Sequence, residues 1–220
     1  AAESSAVFAQ VALKPKTISA NTQLSRKFIN QASISAEQFA INELLSAIGL
    51  GVDLAVLQGT GANGQPLGIL NVDGIGSVVS GGTLTWANIV DLETAVAAAN
   101  ADNGSLAYLT NTKVRGKLKQ TLKAADGHES FIWTGDNSLN GYPVHVSNQV
   151  ASKLGAATNE SAVVFGNWAD LLLGMWGVID VNPDPYTHSN IGAVRITAFQ
   201  DVDVQVRHAE SFAVCKAIKA

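Results

Sequence analysis

The sequence predicts an α+β protein with one long helix, a helix–strand–helix unit and a tail that is all extended. Three observations carry this reading. Apolar residues keep helical spacing from Ile41 to Val56, and they alternate with polar ones from Ile191 to Arg207. Between these stretches, two short helical patterns flank an apolar run at Leu106–Leu109, which suggests an α/β layer.

From the start, Val7, Ala9, Val11 and Leu13 fall on one side of an alternating stretch, Val7 to Ile18, that Pro15 interrupts. This predicts an extended arm or edge strand. No partner strand lies nearby, so the chain reads as beginning halfway through a hairpin. Next, Ser35 with Gln38 three residues on forms a capping box, and Ile41, Leu44, Leu45, Ile48, Val52, Ala55 and Val56 follow at helical spacing. A helix from Ala36 to Leu57 would be a rod roughly 33 Å long, bent at most near Gly49 and Gly51.

Glycines from Gly59 to Gly82 predict a loop region with short strands at Gly68–Leu70 and Ser77–Val79, and a domain boundary. Thr85 is placed to cap a helix carrying Ile89, Leu92 and Val96. Asn111 or Thr110 is placed to cap a second, carrying Val114, Leu118 and Leu122. The stretch from Asp126 to Gly141 is polar and turn-rich apart from Phe131 to Trp133. Strands are expected at Pro143–Val146, Ala162–Phe165, Leu171–Val181, Ile191–Arg207 and Phe212–Ile218.

At 220 residues with 47% hydrophobic and 15% charged side chains, the chain can bury a sizeable core. Its formal charge of −4 offers no field for holding a polyanion, which disfavours nucleic-acid binding as the main activity. The low charge and the twenty glycines predict an unusually apolar surface, for which self-association is the outlet. No uncharged apolar run reaches the roughly 18 residues of a membrane span, and the first residues lack signal-peptide character. A soluble protein of a reducing cytoplasm, without membrane contact, is expected. The single cysteine, Cys215, excludes an internal disulfide and a multi-cysteine zinc site.

Candidate chemistry is sparse. Gly59-Thr60-Gly61-Ala62-Asn63-Gly64 matches the G-x-G-x-x-G pattern, which would make an α/β nucleotide-binding enzyme. A dinucleotide site, however, needs its glycines between a strand and a helix N-terminus. Here a helix precedes and Pro66 follows, so a structural turn at a helix C-terminus is the better reading. His128, His145, His188 and His208 are scattered without ligand spacing, no serine stands in a G-x-S-x-G elbow, and Cys215 sits among apolar residues. No catalytic residue, metal site or cofactor is expected. Lys113, Arg115, Lys117, Lys119 and Lys123 make the second short helix basic. This is either a solvated face or a contact with acidic neighbours or packaged DNA.

Five phrases in order extend these readings: Ser25-Arg26-Lys27-Phe28-Ile29; Leu57-Gln58-Gly59-Thr60-Gly61 with Gln65-Pro66-Leu67-Gly68-Ile69-Leu70; Ala107-Tyr108-Leu109-Thr110-Asn111; Leu139-Asn140-Gly141-Tyr142-Pro143-Val144; and Val164-Phe165-Gly166-Asn167-Trp168. Together they resemble the major capsid proteins of tailed phages with the Hong Kong 97 type (HK97-like) fold.

The resemblance implies a structural, non-catalytic subunit of a phage or prophage icosahedral shell. It would assemble with itself into pentamers and hexamers around double-stranded DNA, in a virion made in the bacterial host cytoplasm. It implies an extended-loop remnant and linker over residues 1–32, and a peripheral domain with a spine helix over 33–80 and 182–208. The axial domain would be 81–181 with 209–220, and Thr134, Gly135, Asp136, Asn137, Ser138 and Leu139 would lie nearest the symmetry axis. Family members carry an N-terminal arm and outgoing loop strand that have no counterpart here, so monomers or small rings are expected of this chain. Val194 stands where some members carry the asparagine of a lysine–asparagine cross-link, which implies non-covalent assembly. An encapsulin-type nanocompartment shell shares the fold and is the alternative within it.

Overall fold

Periodicity and capping account for most elements of the computed structural model, which describes residues 10–31, 36–123 and 130–219. In chain order these are β1 (Lys16–Ser25), α1 (Arg26–Gln31), α2 (Ala36–Gln58), β2 (Gly76–Val79), α3 (Trp86–Ala98), β3 (Leu106–Thr110) and α4 (Thr112–Leu118). There follow β4 (Ser138–Leu139), β5 (Tyr142–Val146), β6 (Glu160–Asn167), β7 (Leu171–Asp184), β8 (Ala193–Val206) and β9 (Phe212–Lys219). They form a three-stranded sheet, β1-β8-β7, and a six-stranded sheet, β2-β9-β6-β3-β5-β4.

The three-stranded sheet is antiparallel, and one of its faces is covered by α2. Ala40, Leu44, Ile48 and Val52, each four residues on from the last, make one buried stripe along the helix. They pack against Ile196, Ala198 and Val202 of β8, with Ile18, Ala20 and Leu24 of β1 half-buried beside them. Alternation does the sorting, because Thr17, Ser19, Asn21 and Gln23 take the opposite face of β1 and stay exposed.

In the six-stranded sheet β6 is buried on both faces. Val163 and Phe165 face the cluster built by Ile89, Leu92 and Val96 of α3 with Val114 and Leu118 of α4. Ala162 and Val164 face a second cluster that includes Leu57 at the end of α2, Ile69, Leu70 and Phe212. This second cluster joins the two sheets, since Leu171 of β7 and Val206 of β8 pack against it beside Trp168, which meets Phe212 edge-on at 5.6 Å and donates its indole N–H to the Ala107 carbonyl at 3.0 Å.

Several expectations need correction. The first strand is not Val7 to Ile18: residues 10–15 have no regular structure, residues 7–9 lie outside the described ones, and pairing starts at Lys16. Pro15 has no N–H to give a ladder, and the strand that follows is mostly polar. Its partner, β8, is far downstream, which is why no partner was legible nearby. The Ser35–Gln38 capping box falls partly outside the described residues.

Gly68–Leu70 is not a strand either. Asn71 closes a 3₁₀ turn on Gly68 at 2.9 Å, and its side-chain amide donates to the carbonyls of Gln58 and Gly59 at the end of α2. Asn111, not Thr110, caps α4, accepting from the Val114 N–H at 2.9 Å. The helical run ends at Leu118, short of Leu122, because the chain turns there to pair Leu122 with Phe131. In the sheets, β2 pairs with β9 in parallel and β7 with β8 antiparallel.

Candidate assembly surfaces

The glycine cluster is a closed turn. Gly59 N–H bonds back to Ala55 at the end of α2, Gly61 N–H to Pro66, and Gly68 N–H to Gly59 at 2.8 Å. These donors are occupied within the turn, and Gly61, Asn63 and Gly64 adopt the left-handed conformation that reverses the chain. The glycines follow the C-terminal end of α2 and no α-helix starts from them, so the helix N-terminus that the motif requires for a phosphate is not there.

Among the described residues no cluster of His, Cys, Asp and Glu could hold a metal ion. Cys215 is buried in the core around α3, and burial pushes its thiol up to about 11, so it is a packed small residue rather than a nucleophile.

The basic segment lies along and just beyond α4. Lys113, Lys117, Lys119 and Lys123 are exposed and Arg115 is half-buried, while Val114 and Leu118 anchor the helix beneath them. Lys123 places its ammonium 4.3 Å above the Trp86 ring. Among the described residues none of these cations forms an ion pair. The helix does bring Lys113 and Lys117 to one side, at i and i+4; Lys119 and Lys123 follow on the turn after it.

Thr134 to Ser138 form an exposed loop that ends on buried Leu139. Its return is a two-residue hairpin in which Asn140 (φ 51°) and Gly141 (φ 83°) both have positive φ, the geometry of a type I′ turn. The hairpin is tied to α3 through one carboxylate. Glu93 accepts from the Asn140 amide and, at 3.1 Å, from the Tyr142 hydroxyl. That hydrogen bond raises the phenol of Tyr142 above its ordinary value. The Asn137 carbonyl accepts from Val144 N–H at 2.9 Å and closes the loop base.

Two apolar faces stay in water, and the sequence reading missed both. On α2, Phe39, Leu45, Leu50 and Leu54 are exposed on the sides away from the sheet. The helix thus carries exposed apolar side chains beside a polar line of Gln38, Asn42, Ser46 and Asp53, and by length and composition alone it could cross a membrane. On β7, Leu172, Leu173, Met175, Trp176 and Val178 are exposed, Val178 at 89%. A signal existed in the unbroken apolar run Leu171-Leu172-Leu173, which fits a strand covered on both faces, whereas here β7 is an edge strand.

A small sheet backed by one long helix and joined to a larger layered sheet is the arrangement of known shell proteins. The capsid of an empty GTA particle matches with a TM-score of 0.75 at 20% identity, covering 99% of this chain and 80% of that one. A holo encapsulin complex from Synechococcus elongatus matches with a TM-score of 0.61 at 12% identity, over 93% of this chain and 74% of that one. The fold is therefore α+β of the Hong Kong 97 type. The model of the Phage capsid family matches residues 1–217, and the chain belongs to that family.

Among curated relatives, the major capsid protein of Halomonas phage phiHAP-1 is 37% identical over 209 residues, 95% of this chain and 33% of the relative. That of Klebsiella oxytoca phage phiKO2 is 24% identical over 190 residues, 81% of this chain and 44% of the relative. The chain spans a third to less than half of the length of these relatives.

Proposed function

We propose that this chain is the shell-forming part of a phage or prophage major capsid protein, which acts by assembling with copies of itself and catalyses nothing. One observation carries this: among the described residues nine of the eighteen large apolar side chains left in water are gathered on two elements, α2 and β7. Phe39, Leu45, Leu50 and Leu54 are about half exposed, so covering each would contribute roughly half of the ~1.5–3 kcal/mol of full burial. A neighbouring subunit is the natural cover.

In this reading the six-stranded sheet with α3 and α4 is the axial part, and α2 with the three-stranded sheet is the peripheral part. The loop Thr134–Leu139 points to the centre of a pentamer or hexamer. Lys113, Arg115, Lys117, Lys119 and Lys123 lie on an edge that meets an acidic neighbour, with packaged double-stranded DNA as a weaker, salt-sensitive partner. The product is a virion component made in the host cytoplasm.

The test is electron microscopy of particles formed when the complete gene product is expressed alone. Closed icosahedral shells support the reading, and a protein that stays monomeric at every concentration and salt sinks it. An encapsulin-type shell is the second reading, favoured by the shared fold. Particle contents separate the two, since nucleic acid marks a capsid and a folded protein cargo marks a compartment.

A further inference from the structure

The strand ends of the three-stranded sheet close on a polar hollow lined by Asn21, Thr22, Gln23, His188 and Arg195. Strand register sets Arg195 of β8 between Gln23 of β1 and Asp184 of β7. An arginine in that position would ordinarily pair with the carboxylate beside it. Asp184 accepts from the Tyr186 N–H at 2.8 Å, the Thr187 N–H at 3.2 Å and the Thr187 hydroxyl, closing its own turn, and the nearby Arg195 charge helps lower its carboxyl without an ion pair among the described residues.

The guanidinium is left without a hydrogen bond among the described residues. Its Nε is shut off from solvent and unpartnered, an unfavourable state for a charged donor. The two Nη groups are not shut off and donate to nothing described, so the fork end of the side chain is open to the hollow. In the turn that carries His188, Tyr186 is 83% exposed and Ile191 62% exposed. An inorganic anion would need the cation alone. An aromatic and an aliphatic side chain held in water on the turn that borders the hollow instead suit a protein surface, because Tyr and Arg are enriched at the energetic centres of interfaces.

We propose that this hollow receives a carboxylate side chain of a second copy of the chain, gripped end-on by the Nη groups of Arg195 and flanked by Tyr186 and Ile191. A second copy is the occupant because the chain has carboxylates in excess, 18 Asp and Glu against 14 Lys and Arg. The inference rests on the shell reading and adds to it a named contact at the far end of the sheet from the Lys16 end of β1. The fork matters, since a guanidinium binds both carboxylate oxygens and an ammonium binds one point.

The experiment compares wild type, Arg195→Met and Arg195→Lys in the complete gene product, by sedimentation over a concentration series and by thermal unfolding of the dissociated subunit. Expected are at least tenfold weaker self-association for R195M, incomplete recovery in R195K, and unfolding temperatures unchanged or higher, since the unpartnered Nε is gone. Unchanged self-association in R195M overturns the proposal while leaving the shell reading standing. A large fall in unfolding temperature with unchanged association makes Arg195 an internal structural residue and also overturns it. Wild type stabilised by inorganic phosphate, with R195M unresponsive and equally associated, assigns a free-anion site instead. Failure of wild type to associate at all removes the shell reading and this contact together.

Discussion

Lys16 and Asp203 lock the first strand onto β8: the Lys16 ammonium lies 3.1 Å from one carboxylate oxygen, and the other accepts the Lys14 N–H at 2.8 Å. Asp203 is buried, and burial alone would push its carboxyl up. The hydrogen bonds from Lys14 and Lys16 outweigh that and hold it below its ordinary value. A carboxyl depressed in the folded state stabilises above its unfolded value of about 3.9, and this contribution disappears as pH falls through the folded value. Lys16→Met should therefore reduce stability at neutral pH by about 1–2 kcal/mol, modest because Lys16 is partly exposed. It should also move the onset of acid destabilisation to higher pH. Denaturant titrations from pH 7 to pH 3 check both, and superimposable pH profiles for mutant and wild type would contradict the assignment.

Glu93 should control the order of the exposed loop. In Glu93→Ala the Asn140 amide and the Tyr142 hydroxyl lose their shared acceptor, while the apolar contacts of α3 through Leu92 and Val96 remain. Faster hydrogen exchange across residues 134–142 is expected, with a global stability loss of about 1–2 kcal/mol. In Glu93→Gln the phenol of Tyr142 should titrate lower than in wild type, because the carboxylate that raises it is gone. An unaltered exchange pattern in both variants would show that the turn residues alone hold the hairpin.

How much of this was legible in sequence depended on how local the cause was. Thr85 and Asn111 announced α3 and α4 because a cap and its helix are adjacent, and both caps form. The alternation of β8 was legible because one face of the strand packs on α2. Strand β1 was misplaced because its sequence, KTISANTQLS, has few apolar residues and gains its position from a partner about 180 positions later. The basic residues were picked out by type alone; Lys113, Lys117, Lys119 and Lys123 are exposed and Arg115 is half-buried. Arg195 was not found, since its lack of a partner arises only when three strands are in register and Asp184 turns to its own loop. The exposed faces of α2 and β7 were hidden for a related reason, as apolar residues in sequence carry no mark of which ones a single copy leaves uncovered.

The glycine cluster should respond to added methyl groups and not to nucleotides. A Cβ at Gly59 would stand 2.2 Å from the Pro66 carbonyl oxygen, and one at Gly68 would stand 2.4 Å from the Gly59 nitrogen. Both obstacles are backbone, so the turn must open. Gly59→Ala and Gly68→Ala should each destabilise by roughly 2–4 kcal/mol, in the upper range for a single substitution. ATP, GTP or NAD should leave the thermal unfolding of wild type unmoved, whereas saturation at 100 times a dissociation constant would add about 2.7 kcal/mol. A nucleotide-dependent rise that Gly59→Ala abolishes would reverse the reading of this turn.

Charge reversal on the basic segment should separate assembly from folding. Lys117 and Lys119 are exposed, form no described ion pair and sit above the buried anchors Val114 and Leu118, so their heads can change without disturbing the core. Lys117→Glu with Lys119→Glu changes the local charge by four units, since each cation becomes an anion. If this edge meets an acidic neighbour, attraction becomes repulsion and encounter slows. Both partners are solvated, so the effect belongs mainly to the association rate and depends on salt, with a screening length of about 10 Å at 0.1 M. Expected are assembly several-fold slower at low salt, partial recovery at high salt, and subunit unfolding within about 0.5 kcal/mol of wild type. Light scattering at two ionic strengths, with thermal unfolding of the dissociated subunit, reads all three. Assembly unchanged at both salts would leave the segment as a solvated face. Slower assembly that high salt does not relieve would place these lysines in a packed contact, where the loss comes from fit rather than from charge.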